Sequence, residues 1–223
     1  MSIISKTLIA VTTVTIALSC PFAATAAQLD AGEEAHLIFM REEEKLARDV
    51  YLTLGAMYPK NPIFINIAEG AEQSHTNTML AKLEQFGIED PNPDTNNLPD
   101  SIGVFTGADY GWYFAEKFAL LTEMGAQSKL DALYVGAFIE ELDMLDIVDC
   151  PKVIVETDNG VGVGECGLSY TDEKALILSL SSLVAGSESH LRAYVGQIEV
   201  IIGEGNYVAQ VLPQEVVDAI LGR

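Results

Sequence analysis

The stretch AEGAEQSHTNTMLAKLEQFG, residues Ala68–Gly87, decides the fold class because its apolar residues recur at the spacing of an α-helix. The apolar positions of this stripe are Ile67, Ala68, Ala71, Met79, Leu83 and Phe86. Glu72 and His75 occupy the same stripe three residues apart, so they project side by side from the apolar face. Because a buried charge is unfavourable without a partner, the stretch predicts a helix that directs a carboxylate and an imidazole toward a partner inside the protein.

Similar amphipathic patterns continue along the chain and predict further helices. The expected helices cover residues 32–57, 62–86, 108–124, 128–149, 171–202 and 213–221. Gly87 is placed to end the second helix, Ser128 with Asp131 to begin the fourth, and the Pro- and Asn-rich stretch at 88–103 to form a connection. Four of these helices are long enough to bury their stripes together, which predicts an all-α fold: an antiparallel four-helix bundle with the shorter helix in the long crossover connection. We expect the bundle to cover residues 27–203 and a C-terminal tail to cover 204–223.

The first 26 residues have the features of a secretory signal peptide. A short segment carrying Lys6 precedes the apolar run LIAVTTVTIALSC, which is too short to span a bilayer comfortably, and small residues follow at Ala24 and Ala26. The pattern predicts cleavage near Ala26 and a secreted or periplasmic protein with no stable membrane span. An alternative interpretation places a lipid anchor on Cys20.

The chain is strongly acidic, with 12 basic and 33 acidic residues and a formal net charge of -21. Residues 1–26 contain one Lys and no acid, so their removal changes the charge from -21 to -22. This balance argues against nucleic acid as a partner, because binding to phosphates requires Lys and Arg. It favours divalent cations as partners, although an acidic surface also serves solubility alone. A homodimer is left open.

Export would place Cys150 and Cys166 in an oxidising compartment, where a disulfide between them is the simplest expectation. The segment between them is rich in Gly and has the pattern of a loop or a small hairpin. The alternative is two separate buried thiols.

Ionisable residues lie on the apolar side of every long predicted helix. One of these segments, REEEKLARD at 41–49, can also be interpreted as a solvated face on which Glu44 pairs with Arg48. Taken together, however, several charges facing one interior need compensation, which a divalent cation would supply. Carboxylate and imidazole ligands without cysteine favour iron, manganese or zinc, and paired acids suit a dinuclear centre. The candidate metal ligands are Glu44, Glu72, His75, Glu140, Glu141, Asp143 and His190, with Glu140 and Glu141 as alternatives at one position.

Four motifs in order, REEEKLARDVY, AEQSHT, VGAFIEELD and GSESHLRAY, resemble the ferritin-like superfamily and, more narrowly, the uncharacterised family known as domain of unknown function 2202. The resemblance covers about residues 34–197. It implies a di-iron or mononuclear centre with ferroxidase activity or another oxidoreductase activity linked to oxygen or peroxide. Glu44 followed by Tyr51 resembles the first-helix Glu and Tyr of rubrerythrin-type members, which makes Tyr51 a candidate catalytic residue. The last motif departs from the pattern, because Ser187 stands three residues before His190 where the resemblance implies a Glu.

Two other functions fit the same residues. The first is a metal-binding protein that buffers or senses cations without catalysis. The second is a metal-free structural bundle whose acids pair with Lys45, Arg48 and Arg192.

Overall fold

The computed structural model describes residues 28–157 and 160–223, so the expected signal peptide, with Ala26 and Cys20, lies outside the described residues. Within the described ranges the chain is helical and forms no strand, which confirms the all-α prediction. The elements are α1 (Ala31–Met57), α2 (Ile63–Asn66), a π-helical segment (Ile67–Glu72), α3 (Gln73–Phe86), α4 (Gly111–Gly125), α5 (Lys129–Val148), α6 (Lys152–Glu156), α7 (Lys174–Ile202) and α8 (Gln214–Leu221).

The helix ends follow local side-chain chemistry. Asp30 begins α1 with a capping box, in which its carboxylate accepts from the Glu33 N–H and the Glu33 carboxylate accepts from the Asp30 N–H. Ser128 begins α5 by accepting from the N–H of Asp131. Gly87 ends α3 at φ 73°, a left-handed conformation that favours glycine. These signals explain why the predicted ends lie within a few residues of the observed ones.

The second predicted helix, 62–86, is not one regular α-helix. It contains the π-helical segment Ile67–Glu72, in which hydrogen bonds close wider turns, and this segment ends at Glu72. A wider turn changes the rotation of the residues that follow it. Apolar spacing alone does not distinguish such a segment from an α-helix, so the prediction of a helix over 62–86 is confirmed, but the turns at 67–72 are wider than α-helical ones.

The long helices share one core. α1 contacts α3 and α5, and α7 contacts the same two helices, most extensively α5. α4 packs against both α1 and α5, where the rings of Phe114 and Phe39 lie 4.9 Å apart between centroids. The fully buried apolar side chains of this core include Met40, Val50, Leu54, Phe64, Met79, Leu83, Leu133, Ala137, Ile147 and Leu191.

The middle of α1 is buried on all sides, from Arg41 to Tyr51. The connection between α3 and α4 covers its outward face and supplies partners for the basic side chains there. Arg41 forms a salt bridge of 2.8 Å with Asp90, and the Lys45 ammonium donates to the Ser101 carbonyl at 2.8 Å. The interpretation of 41–49 as a solvated face is therefore wrong, because a polar connection rather than water surrounds these charges.

Asp49 is the internal counter-ion of this basic face. It pairs with Lys45 one turn earlier and with Arg48 at 2.8 Å. Arg48 also donates to the Thr95 carbonyl at 3.0 Å and to the Gln73 side chain at 2.9 Å. The pairing of Arg48 with Glu44 that the solvated interpretation implies does not occur, because the Arg48 guanidinium donates to Asp49, Gln73 and Thr95 instead.

Cys150 and Cys166 form the expected disulfide, with their Cα atoms 4.7 Å apart. The segment that it closes contains the short helix α6 and no hairpin in its described residues. After Cys166, the chain folds back on the end of α5, where the Leu168 N–H donates to the Ile147 carbonyl at 2.9 Å. The disulfide thus fixes this loop against the C-terminal end of α5.

The tail 204–223 is hydrogen-bonded to the helices that precede it. The buried Glu141 carboxylate accepts from the Tyr207 hydroxyl at 2.7 Å and from three consecutive backbone N–H groups, those of residues 210, 211 and 212, at 2.9, 2.7 and 2.9 Å. Arg223 also forms a salt bridge of 2.6 Å with Glu199. The expected boundary at residue 203 therefore separates two segments that pack together.

In the described part of the chain, every helix is too short or too polar to cross a membrane.

We expect the double substitution Cys150→Ser/Cys166→Ser to lower the free energy of unfolding by about 3 kcal/mol, because the bond restricts a loop of 16 residues in the unfolded chain. Urea denaturation measures the change. Val163→Ser, which alters an exposed side chain of the same loop, is the control and should have little effect. Equal stability of the double variant and the native chain would contradict the structural role of the bond.

His36 generates a pH prediction, because its buried imidazole donates through Nε2 to the Asp146 carbonyl at 2.8 Å and burial lowers its pKa to about 4. Between pH 6.5 and 4 the unfolded chain binds a proton at this residue and the folded chain does not. Stability should therefore fall by up to about 3 kcal/mol as the pH is lowered through this window.

The native chain and His36→Gln should be compared by denaturation at several pH values. We expect the native chain to lose more stability between pH 6.5 and 4 than the variant. Parallel curves would show that His36 does not titrate differently on folding.

Candidate functional site

Five buried or nearly buried side chains converge where the long elements meet. Glu44 comes from α1, Glu72 from the end of the π-helical segment, His75 from α3, Glu140 from α5 and His190 from α7. Each belongs to the set of predicted ligands, and each reaches the cluster from a different element. We call these five residues the central cluster.

The central cluster consists of two groups that share Glu72. Nδ1 of His75 lies 3.2 Å from a Glu44 oxygen and 3.3 Å from Oε2 of Glu72. Nδ1 of His190 lies 2.9 Å from Oε1 of Glu72 and 3.3 Å from a Glu140 oxygen. Within each group the nitrogen and oxygen atoms lie within 4.8 Å of one another. Glu72 therefore offers one oxygen to each imidazole and joins the two groups.

Several atoms of this cluster lack a hydrogen bond. Nδ1 of His75, Nδ1 of His190 and Oε1 of Glu44 are buried and have no hydrogen-bond partner of good geometry among the described residues. Buried polar atoms are almost always paired, so unpaired ones need an explanation. Here they lie together, with each ring nitrogen between two carboxylates.

The ion-free cluster shares its charge between carboxylates and imidazoles. Although burial lowers the pKa of His75, Glu44 and Glu72 raise it to about 12. Burial likewise lowers the pKa of His190, and Glu140 and Glu72 raise it to about 10. Burial raises the pKa of Glu72, but the two imidazoles hold it at about 2. Burial raises the pKa of Glu44 to about 7, because His75 offsets only part of the desolvation. Without an ion, two imidazolium groups thus balance part of the negative charge.

The imidazoles form the rim of the cluster and the carboxylates form its floor. The His75 side chain is 14% exposed, whereas those of Glu44, Glu72 and Glu140 are at most 3% exposed. Gly186 on α7 leaves room for the His75 ring, since a Cβ there would lie 2.6 Å from Cε1 and 2.7 Å from Nε2 of His75. Solvent therefore reaches the cluster at His75, and α7 packs closely against the same ring at Gly186.

Glu141 and Asp143, also predicted as ligands, lie outside both groups. Glu141 faces the tail, which occupies both of its oxygens. Asp143 accepts a hydrogen bond from the Ser187 hydroxyl. Of the two alternatives at one position, the structure thus brings Glu140 and not Glu141 to the central cluster.

Tyr51 contacts the cluster through Glu140. Its hydroxyl donates to Oε1 of Glu140 at 2.7 Å, and its ring lies 5.3 Å from that of Tyr194 between centroids. Gly136 leaves room for Tyr194, because a Cβ there would lie 2.5 Å from Cε1 of that ring. Tyr51 therefore orients a carboxylate of the cluster.

The basic side chains that a metal-free bundle would use have other partners. Lys45 and Arg48 pair with Asp49 on the outward face of α1. Arg192 pairs with Glu188 at 2.9 Å and donates to the Ile220 carbonyl. Among the described residues, Lys and Arg form no salt bridge with the five members of the central cluster.

Sequence reasoning missed two features of the site. The π-helical segment that ends at Glu72 has no distinct apolar pattern, so spacing could not reveal it. The role of Gly186 was weakly indicated by its residue type, because a glycine inside a helix often marks close packing.

Comparison with known proteins identifies relatives without a described activity. Residues 33–163 match the family model described as "Uncharacterized protein domain (DUF2202)". The chain is 38% identical over 189 residues to the uncharacterized protein MJ0754 of Methanocaldococcus jannaschii, covering 85% of this chain and 86% of the relative. A crystal structure of hypothetical protein MJ0754 superposes with a TM-score of 0.68 at 37% identity, covering 85% of this chain and 91% of that one.

Two glycines of α7 give a matched test of the packing at His75. An Ala in place of Gly inside a helix normally stabilises by about 1 kcal/mol. Gly196→Ala should show this gain, because nothing lies within 4 Å of its added Cβ, whereas Gly186→Ala should lose the gain because the His75 ring must move.

Thermal unfolding measures the stability of both variants, and side-chain imidazole NMR follows the rings. We expect Gly186→Ala to shift the resonances of His75 and to leave those of His36 in place. Identical stability gains with unchanged His75 resonances in both variants would contradict the close contact.

Proposed function

Since the chain belongs to the DUF2202 family, whose description assigns no activity, we propose its function from the central cluster: it is an exported metal-binding protein that holds divalent cations, with iron as the first candidate. Two ions fit the two groups that share Glu72, and one ion fits either group alone. The donors are carboxylate oxygens and imidazole nitrogens, a set that also accepts manganese or zinc.

The observation that carries this proposal is the convergence of unpaired atoms. Nδ1 of each imidazole lies between two carboxylate oxygens and has no hydrogen bond of good geometry. A cation placed between such a nitrogen and its two oxygens would give all three atoms a partner. The donor set and the burial of the carboxylates thus fit a metal ion.

Each of the two groups would hold one ion. Glu44 and His75 would hold one ion, Glu140 and His190 the other, and Glu72 would bridge them. The bound ions, if iron, would supply redox chemistry with dioxygen or peroxide, such as the oxidation of ferrous iron. The hydrogen bond from Tyr51 orients Glu140, and the buried carboxylates keep bulk water from one side of the centre.

We also propose that the helices form a ferritin-like antiparallel four-helix bundle. Its members would be α1, the π-helical segment with α3, α5 and α7, with α4 in the crossover connection. The mutual contacts of these elements support the arrangement, as does the fact that each of them contributes to the central cluster.

Export follows from the predicted signal peptide, and the disulfide is compatible with an oxidising compartment. Cleavage near Ala26 would be seen by mass spectrometry of the protein expressed with its leader, whereas a lipid on Cys20 would add the mass of acyl chains.

Metal content after native purification tests the proposal, with one to two ions expected per chain. We expect His75→Ala to weaken the binding of ferrous iron under anaerobic conditions by about 10- to 100-fold or more, because it removes a ligand. His36→Gln, a change at the histidine outside the cluster, should leave the affinity unchanged. Metal-free protein that binds no added iron, manganese or zinc would overturn the proposal.

A measurement of oxygen uptake distinguishes an oxidoreductase from a protein that only binds cations. Addition of ferrous iron to the metal-free protein in air should consume dioxygen if the centre is an oxidoreductase. Stoichiometric binding without oxygen uptake would indicate a protein that buffers or senses cations.

A further inference from the structure

Asp143 is a buried carboxylate that the central cluster leaves without a counter-charge. It lies on α5 three residues after Glu140 and therefore on the same face of the helix. Its Oδ1 atom is buried and has no hydrogen-bond partner among the described residues, and the residue is 5% exposed. Among the described residues, no Lys, Arg or His forms a salt bridge with it.

Ser187 on α7 holds the other oxygen of Asp143. Its hydroxyl donates to Oδ2 of Asp143 across the contact between α5 and α7, and Ser187 is 1% exposed. Ser187 lies three residues before His190, so it projects beside that ligand. A serine leaves space there that a longer side chain would fill. Asp143 thus brings a carboxylate from α5 to the place beside Ser187.

Three acids of the central cluster act on the charge of Asp143. Burial raises the pKa of Asp143 well above its ordinary value, and the charges of Glu44, Glu140 and Glu72 raise it further. The hydrogen bond from the Ser187 hydroxyl opposes the shift. Glu44 has the largest influence of the three acids, and its own Oε1 atom is likewise unpaired. Asp143 and Glu44 therefore each have one buried oxygen without a hydrogen-bond partner, although the other Glu44 oxygen lies 3.2 Å from Nδ1 of His75.

We infer that Asp143, held by Ser187, is a fourth protein ligand of the ion bound by Glu44, Glu72 and His75, so that the two ions are held unequally. This inference rests on the proposed function. Asp143 lies outside the group formed by Glu44, Glu72 and His75, so its Oδ1 atom would have to move toward the Glu44 side to contact an ion there. The ion at Glu140 and His190 keeps three protein ligands and an open position.

Unequal ligand sets give the two positions different roles. The Glu44 position has four protein ligands, three of which are carboxylates, so it fills first and retains its ion. The Glu140 position exchanges its ion more easily and has room for a small molecule such as dioxygen or water. α5 thus supplies one ligand to each ion, Glu140 to one and Asp143 to the other.

Calorimetric titration of the metal-free protein with Zn²⁺ tests the assignment. The native chain should show a tight class and a weak class of sites. Asp143→Asn should weaken the tight class by about 10- to 100-fold and leave the weak class in place. Glu140→Gln should weaken the weak class, and Ser187→Ala, which removes only a hydroxyl, should shift the tight class much less than Asp143→Asn.

Stability without metal separates ligation from a structural role. In excess chelator, Asp143→Asn should be at least as stable as the native chain, because the substitution removes a buried acid that has no cationic partner. Its melting temperature should then rise less than that of the native chain when Zn²⁺ is added.

A crystal structure of the Zn²⁺-loaded native chain gives a direct check that requires no variant. We expect Oδ1 of Asp143 at about 2.0–2.2 Å from the ion beside Glu44. The inference would be overturned by an ion at that position without contact to Asp143. It would also be overturned by an Asp143→Asn variant that keeps both classes of Zn²⁺ sites or weakens them equally. A native chain that binds no ion would instead overturn the proposed function.

Discussion

Charged side chains on the central part of α1 must find opposite charge without water, and the rest of the structure is arranged around this constraint. Every residue from Arg41 to Tyr51 is buried, although this stretch contains six acidic or basic residues besides Glu44. An isolated buried charge would cost several kcal/mol, so each face of the helix needs its own partners. The outward face receives them from a polar connection, and the inward face receives them from two imidazoles.

The two faces differ in how completely they are paired. On the outward face, Asp49 and the carbonyls of the connection satisfy the basic side chains. On the inward face, ring nitrogens and carboxylate oxygens remain without directed hydrogen bonds. Arg48 links the two regions, because its guanidinium donates to Gln73, which lies between Glu72 and His75 in sequence. The hydrogen bonds of the basic side chains thus support the segment that carries Glu72 and His75.

Periodicity in the sequence predicted the elements that depend on one helix at a time. The spacing of Glu72 and His75 placed both on an inward stripe, and the capping residues Ser128 and Gly87 located helix ends, because each signal acts within a few residues. The disulfide was predictable because the expected export and loss of Cys20 with the signal peptide leave Cys150 and Cys166 as a pair in an oxidising compartment. All five members of the central cluster were in the predicted set, because the periodicity of each helix alone places them on its inward side.

The features that sequence reasoning missed depend on segments distant in sequence. Nothing in 41–49 shows that a connection with little regular structure will cover its polar face, so a buried charge network was interpreted as a solvated one. Glu140 and Glu141 are adjacent acids on one helix, and only the position of the tail distinguishes them. The hydrogen bond between Asp143 and Ser187 likewise requires two helices in register.

The four hydrogen bonds to Glu141 have a mechanical consequence for α5. Glu140 and Glu141 are neighbours on one turn of α5. Because the tail fixes the Glu141 carboxylate, it also resists rotation of α5 about its axis at Glu140. The segment that fixes it lies about 70 residues later in the chain. The orientation of Glu140 therefore depends on a segment distant in sequence as well as on Tyr51, and a chain that ends before Tyr207 would lack this torsional restraint.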